Sequence, residues 1–323
     1  MKNRENSSPD STSRGVLTLA FGKPRFIEQV KALGRSLQLH ASRIETAIVT
    51  DSKDPELKEL FTQVIPYRPE FGSSVRQKLH LNLYTPFDQT LFVDSDCLVL
   101  GNLDRFWSAF AGQAFGVPGF EFLRRGEADP YLDVDFALDH FGVDGLPKFN
   151  GGTYYFDNSE KADHFFATTR ELLANWKDLH FAEFRRDGPA DEPIVSVAMA
   201  IHGLGPTSMG AGGMYTPTAY TGPLHLDVLK GTCSFRKKGR MVSPEIIHFA
   251  GEYAFCYAYP REAARLKKYF GGKASSLGLA KAYVTSFLWQ CTRRSPGLAT
   301  MARRWMRLYR SGLSPVKRLT TVA

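Results

Sequence analysis

The sequence predicts an α/β fold built around a parallel sheet. Two observations carry that prediction. Short apolar segments alternate with segments whose apolar residues recur at helical spacing through the first third of the chain. One of those apolar runs, QTLFV, then breaks on Asp94-Ser95-Asp96 before apolar residues resume at Leu98, and polar groups at a strand's carboxyl end mark the ligand side of open α/β sheets.

The elements follow in order. VLTLA (Val16 to Ala20) is a first strand. Phe26, Val30, Leu33 and Leu37 then repeat at helical spacing behind Pro24. TAIVT (Thr46 to Thr50) is a second strand ending on Asp51, a short helix follows Pro55, and Val64 and Ile65 mark a third strand. SVRQKLHLNLY reads as a helix before the aspartate strand. Beyond Asp96, AFGV is a short strand and FNGGTYYF a glycine-rich turn entering an aromatic strand. Lys161 to Trp176 is a helix, and DEPIVSVAMAI is another, with Asp191 expected as N-cap and Pro193 in the first turn. The Gly203 to Gly222 stretch reads as a loop, and IIHF (Ile246 to Phe249) as a late strand.

Composition narrows the class. With 323 residues and 43% hydrophobic content the chain can bury a large core. The four cysteines show no CxxC or zinc-type spacing, so free buried thiols are expected. The start, MKNRENSSPDSTSR, lacks an apolar core; residues 1–14 are expected to be a disordered lead-in and not a signal peptide. Charge is unevenly spread: from Arg261 onward 14 Lys and Arg face one acid, Glu262. The basic character thus belongs to a tail, residues 263–323, and not to the 15–262 domain that carries the aspartates.

Two carboxylates at one strand tip repel unless a cation lies between them, and Mn²⁺ or Mg²⁺ prefers oxygen ligands. Asp94 and Asp96 are therefore candidate metal ligands able to serve a diphosphate. A second Asp-x-Asp, Asp133 and Asp135, has no apolar strand feeding it and reads as a solvated structural face. Cys97, beside a hard-metal pair, reads as a packing residue.

Taken in order, VLTLAFG, KLHLNLY, LFVDSDCLVLGNLDRFW, FNGGTYYFDNS, the Asp191-Glu192 pair and IIHFAG resemble glycosyltransferase family 8, over about residues 15 to 256. The resemblance implies a GT-A fold: a Rossmann-like mixed sheet with helices on both faces, here followed by a basic helical tail. It implies retaining transfer of a hexose from a nucleotide sugar, UDP-glucose or UDP-galactose, with Mn²⁺ or Mg²⁺, to a glycan or glycolipid acceptor. By the same resemblance His248 is the third metal ligand. Thr18, Ala20 and Asp51 lie where the nucleotide is seated, and Arg76 and Lys78 face the donor, Lys78 the stronger candidate. Ser95, Asn150, Gly151, Gly152 and Gly251 are expected to line the donor site, with Asn150 hydrogen-bonding a sugar hydroxyl. Asp191 is expected to hold sugar hydroxyls. Glu192 stands where the family usually has glutamine, near the reacting face of the sugar. A front-face route, with Glu192 stabilising positive charge on the ring, is the expected one, and a covalent route stays chemically open.

One departure stands out. The family's His-x-x-Gly-x-x-Lys ends here on Ala254, and the next cation is Arg261. A catalytically weakened sugar-nucleotide-binding protein is therefore a second reading. A haloacid-dehalogenase-type phosphatase is a third, opposed by the late position of the aspartates. In the tail, Tyr283, Phe287, Trp289 and Trp305 interleave with Arg293, Arg294, Arg303 and Arg304. That pattern suits an anionic membrane surface, so a cytoplasmic protein peripheral to the membrane is expected. No nucleic-acid motif accompanies the charge.

Overall fold

The computed structural model describes residues 12–184 and 188–284. It divides into two compact units, one through Ala250 and one from Gly251. In the first, β1 (Arg14–Leu19), α1 (Pro24–His40), β2 (Glu45–Thr50), α2 (Glu56–Leu60) and β3 (Gln63–Pro66) follow the predicted alternation. Pro24 opens α1, where its missing N–H costs nothing. A 3₁₀ helix over Ser74–Leu83, broken at His80, leads into β4 (Gln89–Val93). The expected helix there is thus present in its tighter form.

After β4 come β5 (Cys97–Val99), α3 (Asp104–Ala109), β6 (Phe115–Gly116), β7 (Gly119–Leu123), α4 (Val134–Phe141), β8 (Leu146–Phe149) and β9 (Thr153–Asp157). Then follow α5 (Glu160–Ala174), α6 (Asp191–Ile201), β10 (Met214–Tyr215), β11 (Tyr220–Asp227), β12 (Thr232–Lys237), β13 (Arg240–Val242) and β14 (Ile246–His248). The main sheet has the order β3-β2-β1-β4-β9-β6. Its first four strands are parallel, and β9 and β6 run antiparallel to their neighbours. The sheet is therefore mixed, as the family resemblance implied, and not wholly parallel, as local patterning alone suggested.

Strand side chains alternate between faces, and the alternation fills two cores. Leu91 and Val93 join Val30, Leu33 and Leu37 of α1, Leu57 of α2 and Phe106 of α3 on one face. Phe92 joins Phe165 and Phe166 of α5, Ile194 and Val197 of α6 and Leu138 of α4 on the other. Each such side chain, once buried, contributes roughly 1.5–3 kcal/mol. On the first face α1 carries two buried cations, Lys31 and Arg35, that pair with Asp54 and Glu56 around α2.

Three smaller sheets complete the unit: β10-β14-β5, β11-β12-β13 and β7-β8. The stretch expected as a loop over Gly203 to Gly222 contains β10 and the start of β11. β10 is two residues long and β11 lacks the apolar alternation that marks a half-buried strand, so their pairing is a tertiary outcome. The second Asp-x-Asp is structural, as expected: Asp133 caps α4 by accepting from Phe136 N, and Asp135 accepts from Gly126 N.

The second unit contains a 3₁₀ turn over Gly251–Phe255 and α7 (Ala258–Tyr269). Glu262, fully buried, accepts from Arg261 Nε at 2.5 Å and Arg265 Nη1 at 2.8 Å. Ala254 lies in the 3₁₀ turn. The tail beyond residue 284 and most of the lead-in lie outside the described residues.

Candidate metal and donor site

The carboxyl end of β4 turns sharply. Asp94 O accepts from Cys97 N at 3.0 Å, so Asp94-Ser95-Asp96-Cys97 forms a β-turn with Ser95 in its centre. Both ends of the turn are tied to neighbours: Asp94 N donates to Gly152 O and Phe249 N to Asp96 O, each at 3.0 Å. β5 then pairs antiparallel with β14, setting His248 opposite Cys97. The turn and the pairing bring three donors together. His248 Nε2 stands 3.0 Å from Asp96 Oδ1 and 3.7 Å from Asp94 Oδ2.

Two carboxylates and an imidazole suit Mn²⁺, and ligands held about 2.1 Å from an octahedral ion stand roughly 3 Å apart. The Asp96 and His248 donors therefore fit such an ion, while Asp94 Oδ2, 3.7 Å from the imidazole, is held by Lys78 Nζ at 2.7 Å and lies outside the donor atoms that stand within 4.8 Å of one another. The other ring nitrogen is committed: His248 Nδ1 donates to Asn150 Oδ1 at 2.5 Å. That bond leaves the Nε2 lone pair facing the aspartates, the arrangement that orients metal-binding histidines. Burial alone would lower the imidazole pKa, but the Asp96 and Asp94 carboxylates outweigh it and raise it.

Cys97 Sγ also lies within 4.8 Å of the Asp96 and His248 donor atoms. The thiol is fully buried and directed at Gly152 O, 3.8 Å away. Burial, reinforced by the Asp96 and Asp94 charges, pushes its pKa well up. A thiol is a soft ligand for Mn²⁺ or Mg²⁺, and the Cys97 side chain is packed in the core beside the site.

Lys78 connects the aspartate turn to α6. Its Nζ donates to Asp94 Oδ2 at 2.7 Å and to Gly151 O at 3.0 Å, and stands 3.2 Å from Asp191 Oδ2. Burial works against its charge, yet Asp191 and Asp94 hold it protonated, with its pKa raised. Asp191 is not the N-cap of α6; Ala190 is. The Asp191 carboxylate is instead taken by Lys78 and by Tyr154 Oη at 2.7 Å, which leaves it no reach to the helix's own N–H groups.

Glu192 turns the other way. Its Oε1 accepts from Gly151 N at 2.8 Å and from Asn150 Nδ2 at 3.3 Å. Burial, with the nearby Asp191 charge, raises its pKa against the pull of the Gly151 N–H. It also lines a shallow cleft with Asp129, Tyr131, Lys148 and Phe149. Asn150 also bonds within the protein, to His248, Glu192 and Gly152 N. The glycines have a concrete reason. A Cβ on Gly152 would stand 2.3 Å from His248 Nδ1, and one on Gly151 2.6 Å from Tyr154 Oη.

The remaining candidates are placed less directly. Arg76 sets its guanidinium where a Gly188 side chain would be, in the loop leading to Asp191. Thr18 is fully buried, and its hydroxyl finds no partner among the described residues. Ala20 is buried at the end of β1, so both offer a nucleotide backbone at most. The Asp51 carboxylate accepts from Gly22 N at 3.1 Å. Gly251 opens the second unit at φ 62°. Sequence reasoning passed over Phe21 and Tyr67, whose rings stack 4.4 Å apart beyond the carboxyl ends of β1 and β3. Their signal was position: Phe21 lies two residues beyond β1, and Tyr67 directly follows β3.

Against known proteins, the sequence matches no protein-family profile. It matches no curated protein either. Solved structures do match. Over 83% of its length the chain superposes on 99% of LgtC, a galactosyltransferase solved with donor and acceptor sugar analogs, at a TM-score of 0.55 and 17% identity. An active-site mutant of LgtC with glutamate in place of glutamine gives the same coverage, TM-score and identity. The glycosyltransferase GlyE from Streptococcus pneumoniae TIGR4 matches over 62% of this chain and 46% of its own, at a TM-score of 0.38 and 18% identity. The fold is that of a GT-A glycosyltransferase, as the resemblance to glycosyltransferase family 8 implied.

Proposed function

We propose that the protein is a metal-dependent retaining hexosyltransferase that uses a nucleotide sugar, UDP-glucose or UDP-galactose. The observation that carries this reading is the convergence of Asp94, Asp96 and His248 at the carboxyl end of β4, with Lys78 tying that corner to Asp191. On this reading the three ligands hold Mn²⁺ or Mg²⁺, which when bound neutralises charge on the departing diphosphate.

The chain's own residues supply the rest. Lys78 holds Asp191 in place to accept sugar hydroxyls. Glu192, anchored through Oε1, has Oε2 without a hydrogen bond among the described residues, and that oxygen can face positive charge on the sugar ring. Phe21 and Tyr67 form an aromatic wall suited to a nucleobase. The cleft shared by Glu192, Tyr131 and Phe149 suits an approaching glycan or glycolipid acceptor. The Asp191-Glu192 pair, the nucleotide seat and the assignment of residues 15–262 to catalysis belong to this same proposal, as does a peripheral position on the cytoplasmic membrane face through the tail. Among the described residues no helix is long and apolar enough to cross a membrane.

The test is release of UDP from a panel of UDP-sugars, with Mn²⁺ and with EDTA, for the unaltered chain and for Asp96→Ala. Asp96 is partly exposed and its one side-chain partner among the described residues is His248, so the variant is expected to fold. It is expected to lose turnover by about 10²-fold or more. Full activity in that variant removes the metal assignment. A second reading, sugar-nucleotide binding with weak catalysis, is favoured by Ala254 standing where the family has lysine. It predicts Mn²⁺-dependent UDP binding without turnover.

A further inference from the structure

We infer that Lys237, with the hydroxyls of Thr216 and Thr218, forms an oxyanion subsite on the rim of the paired-aspartate site. β10 runs parallel beside β14, with Met214 opposite Ile246 and Tyr215 opposite Ile247. Thr216 follows directly on β10, and His248 is the residue after Ile247 on the strand beside it. The segment that leaves β10 is the one Lys237 holds. From the end of β12 its Nζ donates to Thr216 O and Thr216 Oγ1, each at 2.7 Å, and to Thr218 Oγ1 at 3.0 Å.

This lysine lacks what the other buried lysines have. Lys31 has Asp54 and Glu56, and Lys78 has Asp94 and Asp191. Lys237 has no carboxylate within ion-pair distance among the described residues. The acid that comes near, Glu121, is taken by Lys238. Burial, with the charge of Lys238 beside it, brings Lys237 down to about 8. Its three N–H groups all meet neutral oxygens, and among the described residues its charge meets no paired anion.

The hydroxyls sharpen the preference. Thr216 Oγ1 and Thr218 Oγ1 lie 2.6 Å apart, and both accept from Lys237. Of their two hydrogens, one closes the pair and the other is left over. The cluster thus presents a positive charge and a spare donor. Lys237 and Thr218 are both partly exposed, so a ligand can reach them. Arg236, Lys238 and Arg240 in the same hairpin add positive potential.

The ligand class is a phosphate or carboxylate oxyanion. It has two sources: the donor's diphosphate, or an anionic substituent on the acceptor sugar. The subsite deepens the transferase reading and rests on it for its meaning. Two titrations on the full chain separate the sources, UDP with Mn²⁺ and glucose 6-phosphate without nucleotide, each measured calorimetrically for the unaltered chain, Lys237→Met and Lys237→Arg. Lys237→Met is expected to weaken one of them about tenfold, and Lys237→Arg by less than about threefold. Weakening of UDP assigns the subsite to the donor; weakening of glucose 6-phosphate alone assigns it to an anionic acceptor. Acetylation of Lys237 in the unaltered chain, read by mass spectrometry, is expected to slow in the presence of the same anion, which keeps the test valid should the methionine variant fold poorly. No protection by either anion, with both affinities unchanged in any folded variant, overturns the subsite. It leaves the transferase reading intact, because Asp96→Ala tests that separately.

Discussion

Nζ of Lys78 stands 2.7 Å from Oδ2 of Asp94, so a cation from the 3₁₀ segment is built into the tip of β4. The same ammonium reaches Asp191 on α6, with Lys78 and Asp191 nearly enclosed and Asp94 partly so. Removing the lysine strands two carboxylates. Lys78→Met is expected to lower unfolding free energy by about 3–5 kcal/mol, the scale for breaking a buried ion pair from one side. Lys78→Arg, which keeps the charge, is expected to lose less. Urea unfolding of both variants checks this; a loss under about 1 kcal/mol for Lys78→Met would mean that the carboxylates find other partners.

Gly152 and Asn150 hold His248 from two sides. A methyl at residue 152 meets the imidazole at 2.3 Å. Gly152→Ala is therefore expected to displace His248, at about 1–3 kcal/mol of overpacking. Asn150→Ala instead removes the acceptor that fixes the ring. Both are expected to weaken Mn²⁺ binding about 10–100-fold, the usual effect of losing an outer partner of a metal-binding histidine. Mn²⁺ titration followed by electron paramagnetic resonance measures this directly. Unchanged affinity in Asn150→Ala would show that the imidazole needs no such anchor.

Glu192 gives the pH dependence. Its pKa in the folded chain is raised, first by burial and then by Asp191. As pH climbs from the ordinary carboxylate range, about 4.3, the unfolded chain ionises this group before the folded one does. Its contribution to stability is therefore lost as pH rises through that window. Glu192→Gln is expected to be no more stable than the unaltered chain below pH about 4 and to gain relative stability toward neutrality. Thermal unfolding across that range reads the difference, and a flat difference excludes the raised pKa. Turnover is expected to fall about 10²-fold in the same variant if the carboxylate charge faces the sugar.

The tail makes a separate prediction. Deleting residues 275 to 323 is expected to reduce sedimentation with anionic liposomes while transfer to a soluble acceptor persists. Each basic residue near such a surface contributes about 1 kcal/mol, so the loss should be large and salt-sensitive. Unchanged liposome binding would detach the membrane from the proposal.

Local pattern was enough for the elements that carry their own apolar signal. The Val16, Thr46 and Leu91 strands announce themselves by β-branched and alternating residues, and α1 by Val30, Leu33 and Leu37 on one face. The paired aspartates were legible for the same reason, as a break in an apolar run. Strands β10, β13 and β14 are two or three residues long, too short for a period to show, and β10 and β13 fell outside the expectation. β14 was visible only because Ile246 and Ile247 are apolar.

What the sequence by itself determined is the order of strands and helices and the identity of the acids at β4's tip, because both are written in neighbouring residues. What only the tertiary structure decided is partnership. Asp191 looked like a helix cap and is an anchor for Lys78; Asn150, expected to contact a sugar, also steadies His248; Lys237 gave no signal and is bound to Thr216 and Thr218. Those relations join residues far apart in the chain, and the close approach that creates them depends on strand pairing and on glycines that leave room, which no local pattern records.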